Sequence, residues 1–182
     1  MLVTSVKQDK KKLAEDSTHM LKYVGYDIVF REIPDETTLA INISNCPCHC
    51  PGCHSSYLAG DVGEPLDEDA LVEMMLDNKG ITCIAFMGGD SEPAYINWLA
   101  SIIRSMDGEA GSWCDVKIAW YSGRADLSEE IELKNFDYIK LGPYIEECGP
   151  LDNPNTNQRL YKVIVEDGEY KLTNITYKFW DK

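Results

Sequence analysis

The chain has 182 residues, of which 44% are hydrophobic and 26% are charged, and its formal net charge is −14. This length supports one hydrophobic core and leaves little chain for a second domain. The acid excess argues against nucleic acid as the main partner, because phosphate contacts need a basic surface. It fits either simple solubility or a surface that steers a partner with a basic patch. No apolar run approaches the roughly 20 residues that a membrane span requires, so we expect no membrane partner.

The start of the chain and its cysteine content both indicate a reducing compartment. Residues 1–20 contain a run of three lysines but no apolar stretch behind it, unlike a secretory signal. The seven cysteines form an odd number and four of them crowd together, whereas disulfide frameworks usually have spread cysteines in even number. We therefore expect a cytoplasmic protein with metal or redox chemistry. Residues 1–19 are polar and aperiodic and are interpreted as a flexible tail, with residues 20–182 as a single domain.

The first half of the chain begins with two predicted strands. A weak alternation over residues 26–33 is typical of an edge strand, and the apolar run 39–43 predicts a buried strand. A loop that contains four cysteines follows at residues 46–54. Asp67 is then expected to cap a helix that ends at Gly80.

The second half alternates short apolar runs with turn signals. Ser91 is predicted to cap a second helix, whose apolar residues recur every three or four positions until Gly108 and Gly111. A hairpin is predicted around Asp167-Gly168. Strands are expected over residues 81–87, 116–121, 138–141, 160–165 and 170–179, with a short acidic helix over residues 128–133.

This order of elements predicts an α/β fold, a partial, open β/α barrel with a mainly parallel sheet. A full eight-fold barrel needs roughly 250 residues, so the chain is too short for a closed one. In such folds the chemistry lies at the carboxyl ends of the strands. We expect four loops on that rim: the cysteine loop, Gly88-Gly89-Asp90, Ser122-Gly123-Arg124 and Gly142-Pro143-Tyr144.

The cysteine loop has the spacing Cys46-x-x-x-Cys50-x-x-Cys53. A structural zinc site usually has four ligands in two separated pairs, and no second pair is present. Three thiolates on one short loop suit three corners of a cubane iron–sulfur cluster, for which cysteines are the usual ligands. One iron is then left open to substrate. Cys83 is expected to be a small buried hydrophobe, and Cys114 and Cys148 have no assigned role.

This spacing resembles the signature of the radical S-adenosylmethionine superfamily, in which such a loop follows the first strand of a parallel barrel. Gly88-Gly89-Asp90 is similar to the glycine-rich methionine-binding motif of that superfamily. Cys50-Pro51-Gly52-Cys53 and Thr156-Asn157-Gln158-Arg159 resemble more specifically the activating components of anaerobic (class III) ribonucleotide reductases. The resemblance extends over roughly residues 22–165.

The resemblance implies a cofactor set and a reaction. Cys46, Cys50 and Cys53 would ligate a [4Fe-4S] cluster whose fourth iron binds S-adenosylmethionine. A flavodoxin-like or ferredoxin-like donor would supply an electron, and the 5′-deoxyadenosyl radical formed would take a hydrogen atom from a glycine of the large reductase subunit. The remaining cofactor contacts implied by the resemblance are Gly52, Cys53 and His54 beside the cluster and Gly88, Gly89 and Asp90 around the methionine amino group. The cluster and the cofactor would carry the reaction, with no further catalytic side chain.

Several alternatives stay open from the sequence. Cys48 is either a bystander within the loop or a substitute ligand that oxidises readily. Ser122-Gly123-Arg124 is either a cofactor contact or a strand-end turn. The chain as a whole is a glycyl-radical activating enzyme, another small radical enzyme that acts on a metabolite or peptide, or a non-catalytic metal-binding module.

Overall fold

The computed structural model describes residues 20–106, 113 and 115–180. The tail predicted over residues 1–19, the expected helix end at Gly108 and Gly111, and Cys114 lie outside this part of the chain. The elements in chain order are β1 (Lys22–Val29), β2 (Thr38–Ile43), β3 (Glu64–Pro65), α1 (Glu68–Asp77), β4 (Cys83–Met87), α2 (Pro93–Ser105), β5 (Lys117–Tyr121), β6 (Tyr138–Leu141), β7 (Arg159–Glu166) and β8 (Glu169–Asn174). Short 3₁₀ turns occur at Ser56–Ala59, Leu133–Asn135 and Thr176–Phe179.

The strands form one mixed sheet in the order β3-β1-β2-β4-β5-β6-β7-β8. Neighbouring strands are parallel from β2 to β6 and antiparallel at both ends of the sheet. The predicted partial, open β/α barrel with a mainly parallel sheet is therefore wrong, and the described residues contain only two α-helices.

Short connections explain this difference from the prediction. A parallel pair needs a crossover of a dozen or more residues, and the link from Val29 to Thr38 is shorter, so β1 and β2 pair as antiparallel neighbours. The tight turn at Asp167-Gly168, where both residues have positive φ, reverses the chain between β7 and β8. The predicted hairpin is thus confirmed. β3 covers only the first residues of β1, and the remainder of β1 is a sheet edge. The predicted edge strand is therefore present, but it ends at Val29 and does not extend to residue 33.

Both helices pack on one face of the sheet. The larger hydrophobic cluster joins buried side chains of α1 and α2 to alternate residues of the parallel strands, with Trp120 and Phe86 as its largest fully buried members. The other face has a smaller cluster, formed around Cys83, Ala85 and Ala119 and covered by Ile33 and Ile175 from connecting segments. Cys83 is therefore a buried hydrophobe, as predicted.

The ends of the helices follow from local chemistry. The Asp67 side chain accepts a hydrogen bond from the Ala70 amide at 2.9 Å, which confirms the predicted cap of α1. α2 begins at Pro93 instead of directly after Ser91, because proline suits the first helical position. The cap predicted at Ser91 is wrong.

The acidic helix predicted over residues 128–133 is also wrong. This part of the chain forms turns and then the 3₁₀ turn Leu133–Asn135. The Asn97 side-chain oxygen, on α2, accepts hydrogen bonds from the Glu132 amide and from the Asn135 side chain. These contacts fix the segment against α2 in a non-helical conformation. Neither α-helix of the described residues has the length and apolar character of a membrane span.

Candidate metal centre

The carboxyl ends of the four parallel strands lie in register. Asn42, Met87, Tyr121 and Lys140 are side by side in one row that crosses β2, β4, β5 and β6. Each strand continues into one of the loops that the sequence singled out, so the cysteine loop, Gly88-Gly89-Asp90, Ser122-Gly123-Arg124 and Gly142-Pro143-Tyr144 all start at this edge of the sheet. Side-chain contacts between these loops define the candidate site.

The cysteine loop is anchored at its start and tightly turned within. The Asn45 and Cys46 amides donate to the carbonyls of Gly60 and Leu58, so the segment after the loop holds its first residues. Positive φ angles at Asn45 (61°), His49 (44°) and Gly52 (73°) reverse the chain repeatedly. The Cys53 amide closes a turn onto the Cys50 carbonyl at 3.2 Å. All four loop cysteines are free and half-buried, so their thiols are accessible to a metal.

Asp90 joins two of the strand-end loops. Asp90 is 1% exposed, and its carboxylate accepts hydrogen bonds from the Ser122 hydroxyl at 2.6 Å and the Gly123 amide at 2.9 Å. The Arg124 guanidinium donates to the Asp90 carbonyl at 2.6 Å and lies 3.9 Å from its carboxylate. A buried carboxylate is stable only with such partners, so Asp90 fixes the loop after β4 to the loop after β5.

Cys48 packs onto this Asp90 junction. Its Sγ lies 3.9 Å from the Asp90 carboxylate, and a Cβ added at Gly123 would lie 2.7 Å from the same sulfur. Position 123 therefore needs glycine for steric reasons. Burial, followed by the Asp90 charge, raises the pKa of the Cys48 thiol to about 12. The Cys48 thiol is therefore harder to deprotonate than an ordinary cysteine, which disfavours it as a metal ligand.

Two sets of ligands overlap in the loop. The ligand atoms of Cys46, Cys48 and Asp90 all lie within 4.8 Å of one another, a separation that suits a single ion. Cys50 and Cys53 belong to no such group among the described residues. A cubane cluster holds its thiolates at separate corners, farther apart than the ligands of one ion. The predicted Cys46, Cys50 and Cys53 therefore share one short loop but do not form a single-ion site.

Gly88 and Gly89 adopt conformations that favour glycine. Their φ angles are 111° and 85°. A Cβ at position 88 would lie 3.0 Å from the Ile43 carbonyl, and one at position 89 would lie 2.5 Å from the Ile96 side chain. The buried Trp120 indole donates to the Gly88 carbonyl at 2.8 Å. These contacts place the Gly88 backbone directly against the end of β2, from which the cysteine loop begins, and the Gly89 backbone against α2.

The turn after β6 reaches the other side of the cysteine loop. A Cβ at Gly52 would lie 3.4 Å from both the Tyr144 ring and the Glu146 carboxylate. Gly52 and both loop histidines, His49 and His54, are exposed. The places predicted for Gly52 and His54 beside a cofactor are therefore on the open side of the site.

The late motif 156–159 supports that turn. The Asn157 side chain donates to the Pro143 carbonyl at 2.9 Å, and the Gln158 backbone packs against Gly142. The Arg159 guanidinium donates to the carbonyls of Thr156 and Gln158. These side chains hold the chain after β6 in place by contacts within this motif and with the turn.

Lys140 is a site residue that the sequence reasoning missed. It is 8% exposed, and its ammonium donates to the carbonyls of Gly142 at 2.7 Å and Ser122 at 3.3 Å. Burial lowers the pKa of Lys140 to about 8, against the opposing effects of Asp90 and of the cysteine thiols at 50, 48 and 53. The one signal in the sequence is a lysine within the otherwise apolar strand 138–141.

Comparisons with models of protein families, with curated proteins and with solved structures give no match. The function has to be inferred from the residues and their geometry.

Proposed function

We propose that this chain is a radical S-adenosylmethionine enzyme that holds a [4Fe-4S] cluster through Cys46, Cys50 and Cys53. The observation that carries the proposal is the position of the three cysteines. They lie on one anchored loop at the carboxyl ends of parallel strands, and the Gly88 backbone packs against Ile43 at the end of β2, just before that loop. Ligand sites of open α/β sheets occupy this edge.

The donor set fits an iron–sulfur cluster. Soft thiolates select iron–sulfur clusters, zinc or Cu(I), and these thiols are free and half-buried. The other described cysteines, Cys83 in β4 and Cys148 after β6, stand singly and offer no second pair for a four-cysteine zinc site. Directly after Asp90 in the chain, the buried hydroxyl of Ser91 has no hydrogen-bond partner among the described residues. A polar cofactor group is the kind of partner that such an atom needs.

The chain's own residues would bind and orient the cofactor. When bound, the cluster would supply reductive cleavage of S-adenosylmethionine to methionine and a 5′-deoxyadenosyl radical. The backbone of Gly88 and Gly89 would face the methionine amino group, while the Asp90 carboxylate keeps this loop in place through Ser122 and Gly123. Cys53, Gly52 and His54 would lie beside the cofactor.

The proposed substrate is a glycine of a large partner protein, the anaerobic ribonucleotide reductase. Support comes from the resemblance of the loop and of residues 156–159, together with the exposure of the rim. His49, Pro51, Gly52 and His54 are all exposed, which leaves a macromolecule room to approach. An electron donor of the flavodoxin or ferredoxin type and a cytoplasmic location belong to the same proposal.

Anaerobic reconstitution with ferrous iron and sulfide tests the first part of the proposal. We expect about four irons per chain, as a [4Fe-4S] cluster holds, with a charge-transfer absorption and an EPR signal after dithionite reduction. Added S-adenosylmethionine should then yield 5′-deoxyadenosine. Protein that binds only zinc and releases no 5′-deoxyadenosine would refute the proposal.

The partner is tested separately. Incubation of the loaded protein with the large reductase subunit should give the EPR doublet of a glycyl radical. Release of 5′-deoxyadenosine without that doublet would favour the alternative of a small radical enzyme acting on a metabolite or peptide.

A second candidate is a non-catalytic module that holds one metal ion through Cys46, Cys48 and Asp90. The closeness of their ligand atoms, all within 4.8 Å of one another, favours it. Two observations weigh against it: Asp90 already accepts from Ser122 and Gly123, and the Cys48 pKa is raised to about 12, whereas a metal needs thiolates. Zinc titration of the metal-free protein checks this candidate, which requires one tightly bound ion that is lost in Cys48→Ala.

A further inference from the structure

Lys140 places a positive charge beneath the candidate site. It ends the row that includes Met87 and Tyr121, whose side chains pack on the helix-free face of the sheet. Its neighbours along the strand, Ile139 and Leu141, belong to the cluster on the helix side. Because successive side chains of a strand alternate, the Lys140 side chain lies on the helix-free face, close to the strand ends.

The ammonium has no acidic partner in the described part of the chain. Its hydrogen bonds go to two neutral carbonyls, of Ser122 and Gly142, and no carboxylate lies within 4.0 Å of it in residues 20–106 or 115–180. Lysines are almost never buried in this way unless they are paired, because removing the charge from water is unfavourable. A buried lysine without an acidic partner indicates that the site binds a negatively charged group.

The contacts of Lys140 lead to the cysteine loop from two sides. One path runs through Ser122, whose hydroxyl donates to Asp90, on which Cys48 packs. The other runs through the turn after Gly142, whose Tyr144 ring packs against Gly52 between two of the cysteines. The titratable groups that oppose the lowering of the Lys140 pKa are Asp90 first and then the thiols of the cysteine loop, in agreement with both paths.

We propose that Lys140 is the counter-charge of the cysteine-loop cluster and stabilises its reduced state. This inference rests on the proposed function. When bound, the cluster would accept one electron from a flavodoxin-type donor, which would be oxidised by one electron, with no bond formed or broken. Reduction would add one negative charge at the cysteine loop, and the buried Lys140 ammonium, in a region of low dielectric, would favour that state. The two carbonyl contacts keep the ammonium in place at the junction of the β5 and β6 loops.

The test compares Lys140→Met with Lys171→Met in reconstituted protein without S-adenosylmethionine. Lys171 is an exposed lysine of β8, paired with Glu166, and its replacement makes the same change in net charge. EPR-monitored redox titration gives the midpoint potential of each cluster. We expect a lower potential in Lys140→Met, equivalent to a roughly tenfold smaller equilibrium constant for reduction, and an unchanged potential in Lys171→Met.

Each result leads to a different conclusion. Equal potentials in Lys140→Met and the wild type overturn the role of Lys140 and leave the proposed function intact. A shift that appears only after S-adenosylmethionine is added also overturns it, since Lys140 then contacts the cofactor. A wild-type protein that forms no [4Fe-4S] cluster refutes the proposed function and this inference together.

A second set of variants is needed if Lys140→Met fails to hold the cluster. Lys140→Gln and Lys140→Arg are then compared for iron content. Retention by the arginine variant alone supports a requirement for positive charge. Equal loss in all three variants indicates a requirement for the lysine shape and overturns the inference.

Discussion

The charged residues at the two ends of strand β6 differ in their partners. At the amino end, the Asp137 carboxylate accepts hydrogen bonds from the Arg104 guanidinium and from the Ile118 amide, the latter at 2.9 Å. It also lies 3.9 Å from the Lys117 ammonium. At the carboxyl end, three residues later, Lys140 is more deeply buried and has only carbonyl partners among the described residues. The charge at the first end is paired with opposite charges, whereas the charge at the second end has no partner of opposite sign among the described residues.

This difference separates a structural cluster from a candidate functional one. The charge of Asp137 is paired with Arg104 of α2 and Lys117 of β5 where these elements meet the start of β6. At the carboxyl end, a buried cation, a buried carboxylate and four free thiols lie at the same edge of the sheet, and the cation has only neutral hydrogen-bond partners among the described residues. Groups whose pKa values are strongly shifted in one place are typical of functional sites.

The largest expected effect comes from removing a thiol at the carboxyl end. Cys50→Ala should lower iron–sulfur content and 5′-deoxyadenosine release at least about 100-fold, because loss of even an outer partner of a metal ligand typically costs 10–100-fold. The metal-free variant should unfold within about 0.5 kcal/mol of the wild type, since Cys50 packs in no core. Cys148→Ala is the matched control and should keep its iron. Normal turnover of Cys50→Ala would remove the basis of the comparison.

A second prediction concerns the stability cost of the uncompensated cation. In the folded, metal-free protein the Lys140 pKa is lowered to about 8 from its usual value of 10.5. Below pH 8 the lysine is charged in both the folded and the unfolded state, so the burial penalty is fully present. Between pH 8 and 10.5 only the unfolded chain binds the proton, and the penalty disappears as pH rises.

Metal-free Lys140→Met should therefore be more stable than the wild type near pH 7, by at most about 3 kcal/mol. This advantage should shrink between pH 8 and 10.5. Urea unfolding of both proteins across this range measures the difference. The contrary result is a Met variant that is less stable than the wild type by an equal amount at every pH, including pH 7. That result would mean that the two carbonyl hydrogen bonds of Lys140 stabilise the protein more than the burial of its charge destabilises it.

The amino end should respond in the opposite way. Asp137→Asn keeps the side-chain shape but removes the charge that pairs with Arg104 and Lys117. We expect a loss of about 2 kcal/mol in unfolding free energy, as for hydrogen bonds to charged groups, with cluster content unchanged. Asp27→Asn, at an exposed position of β1, is the control and should change stability by less than about 0.5 kcal/mol. A cluster lost in Asp137→Asn would show that the two ends are coupled.

The sequence predicted the strands of the centre well and the sheet topology poorly. Residues 81–87, 116–121 and 138–141 are short apolar runs that end in glycine or turn residues, and such runs form buried strands with little ambiguity. Whether the outer strands lie parallel or antiparallel depends on connection length and on the tertiary fit of β1, β7 and β8. An apolar pattern does not record direction, so the open barrel was expected where a mixed sheet forms.

The sequence gives a candidate set of ligands but not the electrostatics around them. Cys46, Cys50 and Cys53 carry a spacing that indicates a cluster by itself, and their assignment remains a prediction. Lys140 was not singled out, because lysine in a strand usually points to solvent and only the fold shows which face it occupies. The role of Gly123, which makes room for the Cys48 sulfur, likewise needs the contact between two loops that are distant in sequence.

The smallest expected effect concerns Cys48, whose role as bystander or ligand the sequence left open. Its thiol packs against Asp90 and Gly123, and its pKa is raised to about 12, so it is held as a neutral group. Cys48→Ala should keep the full iron content, lose no more than about 1 kcal/mol of stability for a weak hydrogen bond, and release 5′-deoxyadenosine within about twofold of the wild type. Iron analysis and unfolding of Cys48→Ala beside Cys50→Ala provide the measurement. Equal loss of iron in both would make Cys48 a ligand and would shift the metal centre toward Asp90, on the side of the single-ion site.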